Sequence, residues 1–330
     1  MTRSLWTAAQ AVSVLVAVAL VGLLVVAPAP ALTIVWDLLI PVVPLLLLLA
    51  PGVWRNLCPV SVVSQLPLVG RMGSNGRLSP EAQRRAPVIA IGLLAVIVPL
   101  RHVVFNESGP ALAALTLGVL AVAAGGAFAM PGKSGWCATF CPVLPVERLY
   151  GQSAWIEAPH AHCSTCTACI QACHDLGPGR TLERLTTPER EVGGARERVL
   201  ATPMGAFAAA FPGFVLGYYT VPETLAAYLV HPWVLGFAVA SAALVAVAQR
   251  VSGVGTRGVV RWTAALAGGL YYWFAVPVMA GGISELAGAA PLPGSAGPIV
   301  AARAVLLGVI GAWLLVATRR DAGTGRAIHA

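Results

Sequence analysis

The chain has 330 residues, of which 58% are hydrophobic and only 10% charged, with a formal net charge of +8. A soluble domain carries about 25% charged residues, so this is a chain whose solvent is lipid, and a water-soluble enzyme is excluded. The basic residues form no stripe among aromatics; they fall between long apolar runs, which argues against nucleic acid as a partner and makes them reporters of topology.

Apolar stretches near the roughly 20 residues needed to cross a bilayer recur eight times. They lie at 8–27, 31–50, 86–105, 110–130, 203–221, 225–247, 259–280 and 299–317. The pattern predicts an all-α polytopic membrane protein of about eight transmembrane helices with a small cytoplasmic insertion. Three parts follow: a four-helix membrane region with a doubled hairpin at 1–130, the cytoplasmic module at 131–202, and a C-terminal four-helix bundle at 203–330. With the N-terminus inside, 19 of the 21 Lys and Arg residues fall on the inner side, and only Arg101 and Arg303 sit near the other face. The positive-inside rule therefore predicts a multi-pass protein of the inner (cytoplasmic) membrane, with both termini and the module cytoplasmic. Arg3, the apolar run after it and the small residues Ala29 and Ala31 also resemble a signal peptide and its cleavage site. The run is longer than an h-region, which favours a retained helix.

The segment HCSTCTACIQACHD, residues 162–175, sets Cys163, Cys166, Cys169 and Cys173 in C-x2-C-x2-C-x3-C spacing. A cubane cluster needs thiolates at tetrahedral corners, and a chain in tight turns delivers one every third residue while its amides bond the sulfides. Structural zinc prefers well-separated C-x2-C pairs, and disulfides belong to oxidising compartments. The quartet is thus read as the ligand set of a [4Fe-4S] cluster, which makes the cytoplasmic segment a small ferredoxin-like iron–sulfur insertion. His174 stands where such runs usually carry proline.

Two other stretches align without a gap: WRNLCPVSVVSQL at 54–66 and CATFCPVLPVERL at 137–149. Each follows the inner end of an even-numbered span, so the first four spans read as a doubled hairpin whose Cys-Pro corners meet one membrane boundary. The second copy is a full C-x3-C-P; in the first, Trp54 replaces the leading cysteine. Cys137 and Cys141, four apart on a helical turn, share a face and can reach one metal or pair with each other. Cys58 either joins them or is a small buried hydrophobe.

Apolar hairpins ending in C-x3-C-P, followed by a ferredoxin-like cysteine run, resemble the membrane-bound polyferredoxin family over residues 31–175. Its members include membrane iron–sulfur subunits of nitrate reductase systems, regulatory proteins of nitrous oxide reductase and accessory proteins of cytochrome oxidase assembly. The resemblance implies a membrane electron carrier coupled to quinone or to metal reduction. This chain departs from the family in having one cysteine run rather than two, one incomplete corner, and four further spans. Its seven cysteines cannot give two clusters eight thiolates. Either the quartet closes a single cluster, or Cys173 joins Cys58, Cys137 and Cys141 in a second one, leaving the first to a ligand such as His160, His162 or His174.

Inside the membrane, ionisable groups are costly and mark function by default. Asp37, Arg101, His102, His231 and Arg303 all lie near the outer ends of their spans. Three readings remain open: a quinone site whose carboxylate or imidazole takes protons from quinol, a haem b held by His102 and His231, or an ion pair of Asp37 with Arg101 or Arg303 beside hydrogen-bonded histidines. Taken together, the sequence predicts a membrane-bound iron–sulfur protein passing electrons between the quinone pool and a protein redox partner. The alternative is a copper reductase, assembly or regulatory protein of a respiratory metalloenzyme, with the C-x3-C-P thiols as a soft site.

Overall fold

The computed structural model describes residues 3–66, 79–129, 135–156, 182, 186 and 198–324, and among them the regular elements are all helical. Contacts divide the chain into two units, Met1–Val35 with Leu45–Thr181, and Trp36–Pro44 with Leu182–Ala330. Among the described residues, seven helices are long and apolar enough to cross a membrane. Their outward side chains are apolar too: Leu15, Val18, Val239, Leu244 and Val305 are exposed. A helix that is oily on its outer face has lipid, not water, as its neighbour. The protein is therefore a multi-pass, all-α membrane protein in contact with lipid.

In the first unit, α1 (Arg3–Val26) runs without a break until Pro28 and Pro30 end it, and α2 (Pro28–Leu49) follows with a π-helical segment at Ile34–Leu39. Two short helices, α3 (Pro51–Leu57) and α4 (Pro59–Val63), make the first Cys-Pro corner. The helix α5 (Pro80–Leu100) starts on an N-cap, Ser79 accepting from the Ala82 amide at 3.2 Å with Pro80 at the first helical position, and ends in a π-helical turn at Arg101–Phe105. Then come α6 (Gly109–Ala129) and, after the second corner, α7 (Leu144–Tyr150). Gly109 lets α6 approach α1 closely, since a Cβ there would lie 2.2 Å from the Leu24 carbonyl oxygen. The Ser13 hydroxyl donates to the Leu57 carbonyl, tying α1 to the end of α3.

The second unit is built around α8 (Pro203–Tyr219), capped by Thr202, which accepts from the Gly205 amide at 3.1 Å. With 17 residues it is shorter than the seven candidate spans and stands at the lower limit for a bilayer, so the structure gives seven clear spans among the described residues where sequence reading gives eight. Twelve of those residues are buried, so α8 is enclosed by its neighbours rather than by lipid. Gly213 and Gly217 form a G-x-x-x-G face against α9 (Ala227–Ser252). A Cβ on Gly213 would sit 2.1 Å from the Phe237 carbonyl oxygen, so only glycine permits this approach. The helices α10 (Thr256–Leu286) and α11 (Gly297–Thr324) complete the unit.

Proline inside α10 creates a polar problem that a basic residue solves. Pro277 has no N–H for the Trp273 carbonyl, and Arg303 of α11 donates its Nε to that oxygen at 2.9 Å while stacking on the Trp273 ring at 4.4 Å. The Tyr272 hydroxyl, buried, donates to the Pro41 carbonyl at 3.0 Å. Gln249 closes the other end of the unit, its side-chain oxygen accepting from the Val199 amide at 2.8 Å.

Candidate thiol centre at the Cys-Pro corners

The first corner is a helix interrupted at cysteine by the proline that follows it; in the second, turns over residues 136–140 lead to Cys141, and α7 starts at Leu144 rather than continuing a helix through Cys137 and Cys141. Pro59 and Pro142 disfavour the α conformation in the residue before them. Cys58 accordingly takes φ −56° and ψ 119°, where α3 stops and α4 begins. Its amide still donates to the Trp54 carbonyl at 2.7 Å, and its carbonyl accepts from Val62 at 3.0 Å. The second corner repeats the pattern: the Cys141 amide donates to Trp136 at 3.1 Å and its carbonyl accepts from Leu144 at 3.0 Å. In both corners the cysteine keeps its backbone amide and carbonyl satisfied at the break before proline.

The two corners are brought together by contacts that cross between the aligned copies. Arg55 of the first forms a buried ion pair with Glu147 of the second, the side chains only 8% and 10% exposed. Ser64 of the first meets Cys137 of the second, Oγ to Sγ 3.9 Å. In the gapless alignment Ser64 corresponds to Glu147 and Trp54, next to Arg55, corresponds to Cys137. Late position meets early position both times, as a pseudo-two-fold relation of the corners requires. The chain after α7 returns to the end of α2, where the amides of Trp155 and Ile156 donate to the Leu49 carbonyl at 3.1 and 2.9 Å. That satisfies a helix-terminal carbonyl which Pro51 and its neighbours cannot.

The electrostatics of this cluster are uneven. Burial pushes the Cys141 thiol well above its ordinary pKa, and Cys137, Cys58 and Glu147 push it the same way against a hydrogen bond with the Val143 backbone. The thiols of Cys58 and Cys137 therefore both lie within electrostatic reach of Cys141. Arg148 is 8% exposed, and burial, the largest influence, lowers its pKa to about 10, so it stays a cation at neutral pH. Its Nη2 donates to the Ala138 carbonyl at 3.4 Å, while Nε and Nη1 have no partner among the described residues. Among the described residues this buried cluster holds two guanidiniums, Arg55 and Arg148, and one carboxylate, Glu147.

Soft thiols suit a thiophilic metal in donor type. Among the described residues no group of three His, Cys, Asp or Glu side chains is arranged to hold a metal ion, so ligation requires the thiols to draw closer than they stand. The four cysteines of the run, Cys163, Cys166, Cys169 and Cys173, lie outside the described residues, as do His160, His162 and His174.

The remaining candidates are placed by unusual helix geometry. Asp37 lies in the π segment of α2 and belongs to the second unit; Arg101 and His102 open the π turn after α5 in the first. π-Helical turns recur at functional sites. The Arg101 Nε donates to the Asn106 side chain at 2.7 Å. His231 stands in the first turns of α9, next to Pro232. Arg303, a candidate partner for Asp37, instead serves the Trp273 carbonyl. Sequence reasoning passed over Arg55, Glu147 and Arg148, although charged residues inside the aligned corner motifs were a visible signal. Comparison with known proteins adds no relative: no family model, curated protein or solved structure matches this chain.

Proposed function

We propose that this protein is a membrane-bound iron–sulfur electron carrier of the polyferredoxin kind, passing electrons between the quinone pool and a protein redox partner. In this reading Cys163, Cys166, Cys169 and Cys173 hold a [4Fe-4S] cluster in a cytoplasmic module, and Cys58, Cys137 and Cys141 form a second thiol centre at the membrane boundary. A cluster of this type stores one electron at a time. The chain's own work is to hold thiolates at a fixed place, exclude water from the corners, and take up the protons that quinol releases. His102, on a π turn of the first unit with Arg101 beside it, is one group proposed for the last task, and Asp37 and His231 of the second unit are separate candidates for it. In the same reading α8 counts as a crossing helix, giving eight spans, and the distribution of Arg and Lys puts both termini in the cytoplasm.

The observation that carries the proposal is the convergence of thiols from two corners about 80 residues apart in the chain, clamped by a buried ion pair. A purely structural pair of corners needs neither the thiols nor the second arginine. The test is reduction by quinol: under anaerobic conditions a short-chain quinol should bleach the visible absorption of the protein in liposomes, and His102→Ala or Asp37→Asn should slow it about 10²-fold or more. Bleaching at the same rate in both variants would remove the quinone site from these residues.

The three-thiol set itself favours one second reading, a copper site serving assembly or regulation of a respiratory enzyme, since such a set suits copper(I). Reduction of copper(II) that is lost in Cys137→Ser and Cys141→Ser, with the iron content intact, would select it.

A further inference from the structure

The end of the second unit where α9 stops and α10 starts is crowded with positive charge. Both helices are long and apolar enough to cross a membrane, so the turn between them, at Gly253–Gly255, lies at a membrane surface. The buried Gln249 pins this surface in place. Its side-chain oxygen accepts from the Val199 amide at 2.8 Å, and its side-chain nitrogen donates to the Val254 carbonyl at 3.3 Å and to the Thr256 hydroxyl at 3.4 Å. An arginine adjoins each strand of chain so joined: Arg198 precedes Val199, Arg250 follows Gln249, and Arg257 follows Thr256. All three are exposed. Arg261 stands one turn further along α10. Arg319 of α11 comes to the same level. Arg303 meets the Trp273 carbonyl, and the Leu307 side chain would lie 3.4 Å from a Cβ on Gly269, so each step forward on α11 is a step back on α10. That register sets Arg319 level with Arg257.

Among the described side chains, no carboxylate of this unit shares that end. Glu223 precedes α9 and Glu285 lies in the last turn of α10, both at the opposite end. Asp37 lies one turn before Pro41, whose carbonyl is held by Tyr272 halfway along α10. Leu200, Val251, Val254 and Trp262 are the large apolar side chains exposed among the arginines. Guanidiniums interspersed with protruding apolar groups at a bilayer face are complementary to an amphiphile with an anionic head. The positive-inside rule asks only that basic residues lie on one side; it does not ask that three of them be gathered on one buried glutamine.

We propose that this end of the second unit is a binding site for an anionic phospholipid, its phosphate held by Arg198, Arg250 and Arg257 and its acyl chains resting on the apolar side chains between them. Arginine offers phosphate oxygens paired N–H donors, and the exposed Trp262 suits the headgroup level. Arg261 and Arg319 strengthen the field that draws the headgroup in. Gln249 is a positioning residue, since it fixes the spacing of the arginines without carrying charge. The site needs neither iron nor quinone, so it stands or falls apart from the function proposed above.

The experiment uses the full chain, delipidated in detergent, with short-chain phosphatidylglycerol, phosphatidylcholine of the same chain length and inorganic phosphate as probes. Phosphatidylglycerol should raise the unfolding temperature saturably, at concentrations where phosphatidylcholine and inorganic phosphate do not. An arginine at an anionic surface is worth about fivefold in binding, so each single Arg→Gln variant at 198, 250 and 257 should weaken phosphatidylglycerol by about that factor. Arg198→Gln/Arg250→Gln/Arg257→Gln should weaken it about 10²-fold. Because the three side chains are exposed, the variants should unfold at the wild-type temperature without lipid. Arg84→Gln/Arg85→Gln, which removes two exposed arginines of α5, should leave the binding unchanged. An equal loss in that control, or no loss in the triple variant, would end the inference. So would an equal shift with phosphatidylcholine, which means apolar contact alone, or displacement of the lipid by inorganic phosphate, which means a free-anion site. Polyglutamate bound more tightly than phosphatidylglycerol at the same ionic strength would make this the surface for an acidic protein and overturn the lipid assignment.

Discussion

The two units of this protein solve the same problem with opposite means. Apart from Arg303 on the Trp273 carbonyl, the second holds its helices together with uncharged surfaces: the Gly213 and Gly217 face of α8, the stacked rings of Tyr219 and Phe274 at 5.1 Å, and hydroxyls such as Tyr272 that answer backbone carbonyls. The first places a buried ion pair, a further buried arginine and three thiols at its corners. Lipid-embedded helices are stabilised well by close packing of small residues, so the glycine and aromatic solution is the expected one. Buried charge adds little stability and is costly to break. The first unit therefore carries polar groups that folding alone does not demand, and the contrast points to where the chemistry is done.

This contrast can be broken most sharply at Glu147. Glu147→Ala strands Arg55 and Arg148 together and should cost about 3–5 kcal/mol, read as a lower unfolding temperature or loss of monodisperse protein in detergent. A loss below about 1 kcal/mol would mean that water reaches the pair. In the second unit Gly213→Val should cost at least about 1–3 kcal/mol by forcing α8 from α9, whereas Gly236→Ala, with open space around it, should be near neutral. Equal effects at the two glycines would dismiss the G-x-x-x-G packing. Tyr272→Phe should cost about 1 kcal/mol, the net value of one hydrogen bond, without altering bound iron.

The smallest effect at neutral pH concerns Cys141. Because its folded pKa is raised, the folded state holds the thiol proton more tightly than the unfolded state does. The resulting stability is fully present below the ordinary thiol pKa of about 8.5 and is lost as pH rises from there toward the folded value. Metal-free protein should thus lose stability with alkali above about pH 8.5, and Cys141→Ala should flatten that slope. A wild-type slope unchanged in Cys141→Ala would assign the alkaline loss to another group.

What the sequence made legible, and what it hid, follows from the range of each interaction. The long apolar helices and the meeting of the Cys-Pro corners could be read because both rest on local pattern, a run of hydrophobic residues and a repeated motif. Arg55 and Glu147 escaped because they stand at unlike positions of the aligned copies, so the repeat that reveals the corners does not pair them. The enclosure of α8 escaped because hydropathy counts apolar residues without asking whether lipid or protein covers them; its G-x-x-x-G spacing was the available signal. Arg303 read as a partner for a carboxylate, yet its proton goes to a carbonyl that a proline four residues along had freed. The π turns at Asp37 and Arg101 have no pattern in the sequence.

The central claim is that the thiols of this membrane protein hold inorganic iron and sulfide. The most direct measurement is the iron and acid-labile sulfide content of anaerobically purified chain, with an EPR spectrum after reduction. The account predicts about eight irons per chain if both cysteine sets are filled by [4Fe-4S] clusters, or about four if only the run at 163–173 is, with a reduced-cluster signal in either case. Colourless protein with neither iron nor sulfide would contradict it.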